Sequence, residues 1–362
     1  MARPNQAKID LHALLHNLGV ARSCAPRSRV MAVVKANAYG HGAVAVARAL
    51  EKAVDALAVA SIEEAFTLRE AGVACPVLLL EGIFDAGELL ACATQGFWVV
   101  VENERQLDWL ERSQLPRPVE SCWLKVDTGM HRLGVAPSQA AEFHRRLLDC
   151  KNVSDHVVTC THFASADLLD SVQTPQQIEL FNQVTADLPG PRSAANSPGV
   201  LAWPAAHYDW IRPGYMLYGD SPFEAPQPNA DRLLPVMTLC SEVISVRDVP
   251  AGETVGYGAT WRAERDSRIA TVTAGYGDGY PRTAVNGTPV LIAGQRASLA
   301  GRVSMDMITV DVTDLEDVDI GDEAILWGEE LPVGEVARCA GTIGYELLTR
   351  MPPRTPRVVV RG

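Results

Sequence analysis

The chain has 362 residues, of which 47% are hydrophobic and 21% charged, and its formal net charge is −12. This length suits two domains, or one large barrel with an appendage, in an ordinary globular protein. The acidic balance argues against a nucleic-acid partner or an anionic membrane surface, because both attract basic faces.

Targeting signals and cysteine spacing bear on the compartment. Residues 1–10 contain no apolar stretch of signal-peptide length, and the longest apolar runs, such as 76–80 and 97–101, are strand-sized. The eight cysteines are scattered singly without CxxC pairs. We therefore expect free thiols, a cytoplasmic location and no membrane partner.

Short apolar runs alternate with amphipathic segments through the first two-thirds of the chain. One such segment begins with Ser61-x-x-Glu64, a pattern that predicts a capping box at a helix start. Eight strand–helix units within residues 1–231 predict an α/β fold with an N-terminal (β/α)8 TIM-like barrel. The runs are Val30–Val34, Ala56–Ala60, Val77–Leu80, Phe97–Val101, Cys122–Val126, Val157–Thr161, Ser193–Ala195 and Tyr208–Ile211.

Polar residues stand at the carboxyl end of nearly every run. In a closed barrel of this kind the active site is built at that rim, so we expect the chemistry to collect there. The alternative is that polar residues merely mark where strands leave the core. The residues are Lys35, Ser61, Glu81, Glu102, Lys125, Asp127, His162, Asn196, Ser197 and Arg212.

The composition and pattern of the sequence change after residue 219. Residues 221–231 are rich in Pro, Asn and Asp, which indicates a linker. Strand-like segments separated by turn residues follow and predict a mainly β C-terminal domain over 232–362. Ala7–Leu11, within the first ~10 residues, is a candidate strand of that domain because it precedes the first barrel strand. The later segments are Met237–Val249, Ile269–Thr273, Pro289–Ile292, Met307–Val312, Glu323–Trp327 and Arg357–Val360.

Lys35 ends the first apolar run and is followed by Tyr39, Gly40 and Gly42. Burying an unpaired ammonium is costly, so a lysine partly desolvated at a barrel mouth loses its charge readily and becomes a nucleophile toward aldehydes. Tyr39 is spaced to bring its hydroxyl to the same rim, and glycines allow backbone to approach an anion. The alternative is a surface lysine followed by a glycine turn.

The segment around Lys35 resembles the cofactor-lysine motif of the alanine racemase family, which belongs to the fold-type III pyridoxal-phosphate enzymes. The resemblance continues in order through both predicted domains, which makes coincidence very improbable. It implies racemisation of L-alanine and D-alanine with pyridoxal 5'-phosphate, either supplying D-alanine for peptidoglycan or allowing its catabolism. The matching segments are Lys35–Gly42, Trp123–Gly134, Thr161–Asp167, Ala195–Pro198, Arg212–Gly219, Gly256–Ala259, Gly275–Tyr280, Gly301–Asp306 and Thr342–Glu346.

The resemblance implies a two-base mechanism. Lys35 would carry the cofactor as an imine and, once released, act as base toward the D-substrate, while Tyr257 serves the opposite face. His162 and Arg212 would form a hydrogen-bonded chain to that tyrosine and to the ring nitrogen. A guanidinium only donates, so Arg212 would keep the ring nitrogen unprotonated and limit side reactions.

The resemblance also implies ligands for phosphate and substrate. Arg132 would bind the substrate carboxylate together with the backbone N–H of Met305, and Tyr276 and Asp306 would lie near the substrate entrance. Lys125 is often carbamylated in the family and would then orient Arg132; the alternative is an unmodified strand-end lysine. The cofactor ligands implied are the hydroxyls of Tyr39, Ser197 and Tyr345, the backbone N–H groups of Gly214 and Tyr215, and the neighbouring Asn196.

The resemblance further implies a homodimer with shared active sites, because Tyr257 and Met305 reach the partner's cofactor in such enzymes. His131 stands where some members have glycine, and we assign it no role. A racemase of serine or of broader specificity and a non-enzymatic pyridoxal-phosphate carrier remain alternatives. A metal-dependent barrel enzyme is disfavoured because Cys160, His162 and His207 are too sparse for a metal site.

Overall fold

The structure is a computed structural model and describes residues 3–361. Its strands form a parallel barrel and a mainly antiparallel second sheet. They are β1 (Gln6–Asp10), β2 (Arg29–Val33), β3 (Ala56–Val59), β4 (Val77–Leu79), β5 (Phe97–Val101), β6 (Cys122–Lys125), β7 (Val157–Cys160), β8 (Arg192–Ser193), β9 (Trp210–Ile211), β10 (Met237–Val249), β11 (Thr254–Val255), β12 (Trp261–Arg262), β13 (Ser267–Val272), β14 (Pro289–Ile292), β15 (Gln295–Leu299), β16 (Ile308–Asp311), β17 (Glu323–Trp327) and β18 (Arg357–Arg361).

Strands β2 to β9 pair in sequence order, each parallel to the next, and β9 pairs with β2 to close the barrel. β3, β4, β5 and β7 are buried along their whole length, as continuous apolar runs require when both faces of a parallel strand are covered. The predicted α/β class, a TIM-like barrel followed by a mainly β domain, is confirmed. β8 and β9 have only two residues each, which is why their sequence signal is weak.

Large aromatic side chains fill the barrel interior. The Trp98 and Trp210 ring centroids lie 5.8 Å apart at 90°, and those of Trp123 and Trp210 lie 5.6 Å apart. Edge-to-face contacts of this kind are a favourable arrangement of aromatic rings. The interior is therefore a packed core, and the rim at the carboxyl ends of the strands is left for chemistry.

In the described chain, nine helices are interspersed with strands β1 to β9, and two lie between β17 and β18. They are α1 (Leu11–Cys24), α2 (Lys35–Tyr39), α3 (Ala43–Leu50), α4 (Ile62–Glu70), α5 (Glu88–Gln95), α6 (Glu104–Arg112), α7 (Ala140–Asp149), α8 (Gln173–Thr185), α9 (Ser197–Ala202), α10 (Val333–Cys339) and α11 (Gly344–Thr349). In the part of the chain that the structure covers, no helix is both long and apolar enough to span a bilayer.

The expected capping box at the start of α4 is wrong. Ser61 is the N-cap residue, but its side chain makes no capping hydrogen bond. The carboxylate of Glu64 turns toward the barrel rim, where it accepts hydrogen bonds from the backbone N–H groups of Ala36 and Ala60. The carboxylate therefore bonds to the amide one residue before the N-cap and to a distant amide, and the reciprocal pair that the sequence pattern predicts is absent.

The second sheet has the strand order β13-β16-β15-β14-β17-β10-β1-β18, with a further pairing of β13 and β10. β1 overlaps the candidate segment Ala7–Leu11 and lies between the C-terminal strands: Ala7 pairs with Leu239 of β10 on one side and with Arg357 of β18 on the other. β11 and β12 form a small separate hairpin. The chain thus starts in the second sheet, builds the barrel, and returns.

Candidate active site

Lys35 opens a turn with an unusual backbone at the carboxyl end of β2. Ala36, Asn37, Ala38 and Tyr39 all have positive φ angles, between 50° and 54°, so α2 is left-handed. Left-handed helical backbone costs an L-residue about 1–2 kcal/mol, so four in a row cost about 4–8 kcal/mol. Such strain persists only where neighbouring contacts enforce it.

Side-chain acceptors hold the start of this turn. Glu64 accepts from the amide of Ala36 at 2.6 Å and from that of Ala60, at the end of the adjacent strand, at 2.8 Å. The Asn37 side chain accepts from the amide of Ala43 at 2.8 Å, which joins the turn to α3. Both contacts fix backbone within two residues of Lys35.

A buried histidine holds the end of the turn. Nδ1 of His41 lies 3.1 Å from the carbonyl oxygen of Ala38 and 2.9 Å from that of Tyr39, so it is the protonated nitrogen. Burial lowers the pKa of His41 to about 4, which keeps the ring neutral near pH 7. Arg357 donates to the carbonyl of Gly40 at 2.9 Å and ties the turn to β18.

Ser197 and the segment after β9 form a small cradle of polar groups. The Ser197 hydroxyl accepts from the backbone N–H of Gly214 at 3.0 Å and of Met216 at 3.2 Å. Asn196 is the N-cap residue of α9 and accepts from the amide of Gly199 at 3.2 Å. Backbone and hydroxyl donors close together at a barrel rim suit a phosphate group.

Aromatic side chains cover this cradle. A Cβ added to Gly214 would lie 2.7 Å from the Tyr39 hydroxyl, so only glycine lets that hydroxyl approach the backbone. The Tyr215 and Tyr345 rings stack at 3.5 Å, which places α11 of the second sheet's domain over the rim. The Tyr215 hydroxyl donates to Asp220, so the backbone N–H is the group that Tyr215 can direct toward the cradle.

Arg212 is buried beneath the rim and its position is fixed by several acceptors. Its guanidinium donates to the Ser193 hydroxyl at 2.6 Å and to the Thr161 carbonyl at 2.6 Å, and lies 3.5 Å from Nδ1 of His162. Burial, followed by the charges of Arg212 and Lys125, lowers the pKa of His162 well below its usual value. His162 is therefore neutral beside a permanent cation.

Lys125 lies at the end of β6, in register with Cys160 of β7. Burial, together with the nearby charges of Arg212 and Arg132, lowers the pKa of the Lys125 ammonium. Lys125, Arg132 and Arg212 thus surround His162 with positive charge, and Lys35 adds to it. Such a site favours ligands that carry carboxylate or phosphate groups.

Asp127 organises the loop that carries Arg132. One carboxylate oxygen accepts from the amides of Gly129, Met130 and His131, and the other lies 2.9 Å from Nδ1 of His131. These bonds to the loop amides lower the pKa of Asp127, against the opposing effect of partial burial. His131 has a φ of 56°, so the pair with Asp127 holds a residue in a conformation that glycine adopts more easily.

A second group of predicted residues lies on the other domain. Tyr257, Met305 and Tyr276 are 69%, 52% and 41% exposed. The backbone N–H of Tyr276 donates to the Ser304 carbonyl, which joins the loop of Tyr276 to the loop of Met305. Asp306 pairs with Arg354 at 2.7 Å. Within residues 3–361 no hydrogen bond, ion pair or ring contact links Tyr257 to Lys35. The predicted site residues of one chain therefore fall into two half-sites, one at the barrel rim and one on loops of the other domain.

No metal centre accompanies these groups: across residues 3–361, His, Cys, Asp and Glu side chains form no cluster of three or more that would suit a metal ion.

Comparison with known families assigns the scaffold. The model of the alanine racemase N-terminal domain matches residues 9–222, and that of the C-terminal domain matches residues 236–359. The chain belongs to the alanine racemase family.

Individual members of the family resemble the chain over nearly its whole length. The alanine racemase of Pseudomonas taetrolens is 51% identical over 355 residues, covering 98% of each chain. That of Chromohalobacter salexigens is 52% identical, covering 99% of this chain and 98% of its own. The crystal structure of the biosynthetic alanine racemase from Pseudomonas aeruginosa superposes with a TM-score of 0.94 at 48% identity, covering 98% of this chain and 99% of that one.

The alanine racemase scaffold also holds residues that sequence reasoning did not select as part of the site. His41 and Asp220 bond to the predicted site residues Tyr39 and Tyr215, and Glu64 bonds to the amide that follows Lys35. His41 lies within the Lys35–Gly42 motif, and Glu64 in a helix-start pattern, so each had a signal that suggested a different role. Asp220 follows the motif Arg212–Gly219 directly but has no distinguishing local pattern.

Proposed function

We propose that the chain interconverts L-alanine and D-alanine with pyridoxal 5'-phosphate, using Lys35 and Tyr257 on opposite faces of the substrate. The observation that carries the proposal is the left-handed turn that presents Lys35 beside the cradle of Tyr39, Ser197 and Gly214. A reactive amine adjacent to phosphate donors is the arrangement that an aldehyde cofactor with a phosphate group requires.

The residues at the rim fit the cofactor. Tyr39, Ser197 and Tyr345 would contribute hydroxyl groups to its phosphate, Gly214 and Tyr215 would contribute backbone N–H groups, and Asn196 lies beside them. When bound, the cofactor would delocalise the electron pair left at Cα after proton removal. A Cβ at Gly214 would occupy the space beside the Tyr39 hydroxyl, which supports a cradle built for a close ligand.

The protein's own groups would handle the protons. Nζ of Lys35 takes or returns the α-proton on one face and Oη of Tyr257 on the other. His162 is neutral, so its Nδ1 can accept a hydrogen bond from Arg212 while its other ring nitrogen donates toward the hydroxyl of Tyr257. Within residues 3–361, Nε of Arg212 makes no hydrogen bond, so it can donate to the ring nitrogen without protonating it.

Arg132 would hold the substrate carboxylate, with the N–H of Met305, while Tyr276 and Asp306 line the approach. The lowered pKa of Lys125 increases the fraction of neutral amine, which is the form that attacks carbon dioxide. Carbamylation would join the Lys125 nitrogen to that carbon, release one proton, and create a carboxylate beside Arg132. The converging cations would then be partly neutralised.

The proposal includes a homodimer with shared sites. Tyr257, Met305 and Tyr276 are too exposed for residues that do chemistry in an isolated chain, and Lys35 lies in the other half-site. A two-fold partner would bring each half-site to its complement. Residues 1–231 would then form the cofactor domain and 232–362 the domain that supplies the second base, in a cytoplasmic enzyme. Full activity in a clean monomer at high dilution would contradict this arrangement.

The test supplies the purified protein with pyridoxal 5'-phosphate and, separately, L-alanine or L-serine, and follows the D-isomers by chiral chromatography. We expect D-alanine to form faster than D-serine, and the Lys35→Ala variant to form neither. Absence of D-product from both substrates would overturn the proposal. Preferential formation of D-serine would retain the chemistry and replace the substrate.

A further inference from the structure

We propose that Glu64 is a positioning residue for Lys35: its carboxylate clamps the peptide that follows Lys35 to the neighbouring strand and so directs the lysine amine. The inference rests on the proposed function of Lys35 and adds a residue that acts through it. Glu64 belongs to α4, outside the loops that carry the other site residues.

The clamp joins two adjacent barrel strands at their carboxyl ends. β2 and β3 are parallel neighbours, with Val33 opposite Ala58. One oxygen of Glu64 accepts from Ala36 at 2.6 Å and the other accepts from Ala60 at 2.8 Å. The amide of Ala36 belongs to the peptide bond immediately after Lys35, so this bond fixes the orientation of the Lys35 backbone.

Both carboxylate oxygens are needed for this role. Each accepts from a different backbone N–H, and hydrogen bonds to an ionised acceptor are about twice as strong as neutral ones. A glutamine side chain has one carbonyl acceptor, and its NH2 group would face an N–H donor. Glu64→Gln therefore breaks one of the two bonds while keeping the size of the side chain.

The left-handed turn needs contacts such as the clamp to hold its conformation. Residues 36–39 occupy a conformation that costs free energy, so they relax when a contact that holds them is lost. The other contacts act further along: Asn37 bonds to α3, and His41 bonds to the carbonyls of Ala38 and Tyr39. Among residues 3–361, Glu64 is the side chain that bonds the peptide next to Lys35.

Loss of the clamp should affect one proton transfer and leave the other intact. Lys35 moves with the turn, whereas Tyr257 is carried by the other domain and has no contact with Glu64 in the described chain. A displacement of about 1 Å in a catalytic group slows its step by up to about 100-fold. In Glu64→Gln the step at Lys35 should thus become slower than the step at Tyr257.

Isotope effects separate the two steps. Racemisation of α-deuterated D-alanine begins at Lys35 in the proposed mechanism, and that of α-deuterated L-alanine begins at Tyr257. In Glu64→Gln we expect the primary isotope effect to rise for the D-isomer and fall for the L-isomer, with kcat reduced by about 10- to 100-fold. We also expect slower formation of the Lys35–cofactor linkage, followed by visible absorbance after the cofactor is added to apoprotein.

Glu63→Gln is the matched control. Glu63 occupies the same first turn of α4 and carries the same charge, but it is exposed and does not contact the Lys35 turn. Glu64→Asp provides a second variant, with both oxygens retained on a side chain one methylene shorter, and we expect an intermediate effect. Thermal unfolding of each apoprotein establishes that folded proteins are compared.

The outcomes are distinct. Opposite shifts of the two isotope effects in Glu64→Gln, with Glu63→Gln unchanged, support the clamp. Equal changes of both isotope effects, or a wild-type rate of cofactor attachment, would overturn it and leave the proposed function standing. Should Glu64→Gln not fold, the same isotope measurements on Glu64→Asp decide the matter. Absence of racemisation by the unmodified protein would overturn the proposed function instead.

Discussion

Two glycines in the Lys35 turn provide a matched pair for testing how the turn is packed. Gly40 and Gly42 have φ angles of 82° and 100°, so alanine is strained at both. A Cβ on Gly40 would overlap the carbonyl oxygen of Leu348 in α11, whereas a Cβ on Gly42 has nothing within 4 Å. Gly40 has a ψ of −2°, so alanine there should cost about 1–2 kcal/mol in left-handed backbone strain. Gly42 has a ψ of 93°, outside the left-handed helical region, so alanine there is strained by its backbone alone. Gly40→Ala should cost about a further 1–3 kcal/mol for overpacking.

Urea titration of the two apoproteins measures how much free energy of unfolding each substitution removes. α11 carries Tyr345, which stacks on Tyr215, so Gly40→Ala should also weaken binding of pyridoxal 5'-phosphate more than Gly42→Ala does. Equal cofactor affinities of the two variants, or an unchanged free energy of unfolding in Gly40→Ala, would refute the close packing of α11 on the turn.

Further substitutions test other parts of the site. Tyr257→Phe should lower kcat by about 100-fold or more while the visible spectrum of the bound cofactor is unchanged, because the hydroxyl acts only on protons. Lys125→Ala should raise KM for alanine more than it lowers kcat, since its role is to orient Arg132; a selective loss of kcat would contradict that role. Because the pKa of His41 is lowered in the folded state, its contribution to the free energy of unfolding depends on pH. The contribution is complete above pH 6.5 and is lost as the pH falls toward the folded-state pKa of about 4. His41→Gln should therefore flatten the loss of stability between pH 6.5 and 4 by up to about 1.4 kcal/mol per pH unit in urea titrations, whereas an unaltered slope would contradict its burial as a neutral ring.

Several strands could be predicted in full because they are rich in apolar residues and bounded by polar or turn residues. β5 of the barrel and β10, β14 and β17 of the second sheet have the predicted bounds. The short strands β11 and β12 were not predicted, because two residues carry no periodicity. The hairpin partner β15 was missed because polar residues begin it.

The identities of the site residues could be predicted through motifs, but their geometry could not. Nothing local indicates that Ala36, Ala38 and Tyr39 adopt left-handed backbone, since their intrinsic preferences oppose it. Glu64 illustrates the same limit: its spacing from Ser61 fits a local cap, and only the folded barrel brings the amide of Ala36 within reach. Contacts across the sheet decide between such alternatives.

Subunit complementation tests most directly whether Lys35 and Tyr257 form one site across two chains. Lys35→Ala and Tyr257→Phe homodimers are mixed, dissociated and reassociated, and racemisation of L-alanine is measured. Half of the randomly paired dimers are mixed, and each mixed dimer has one intact site of two, so we predict about a quarter of the unmodified activity. Reassociated mixtures as inactive as the separate variants would contradict the account.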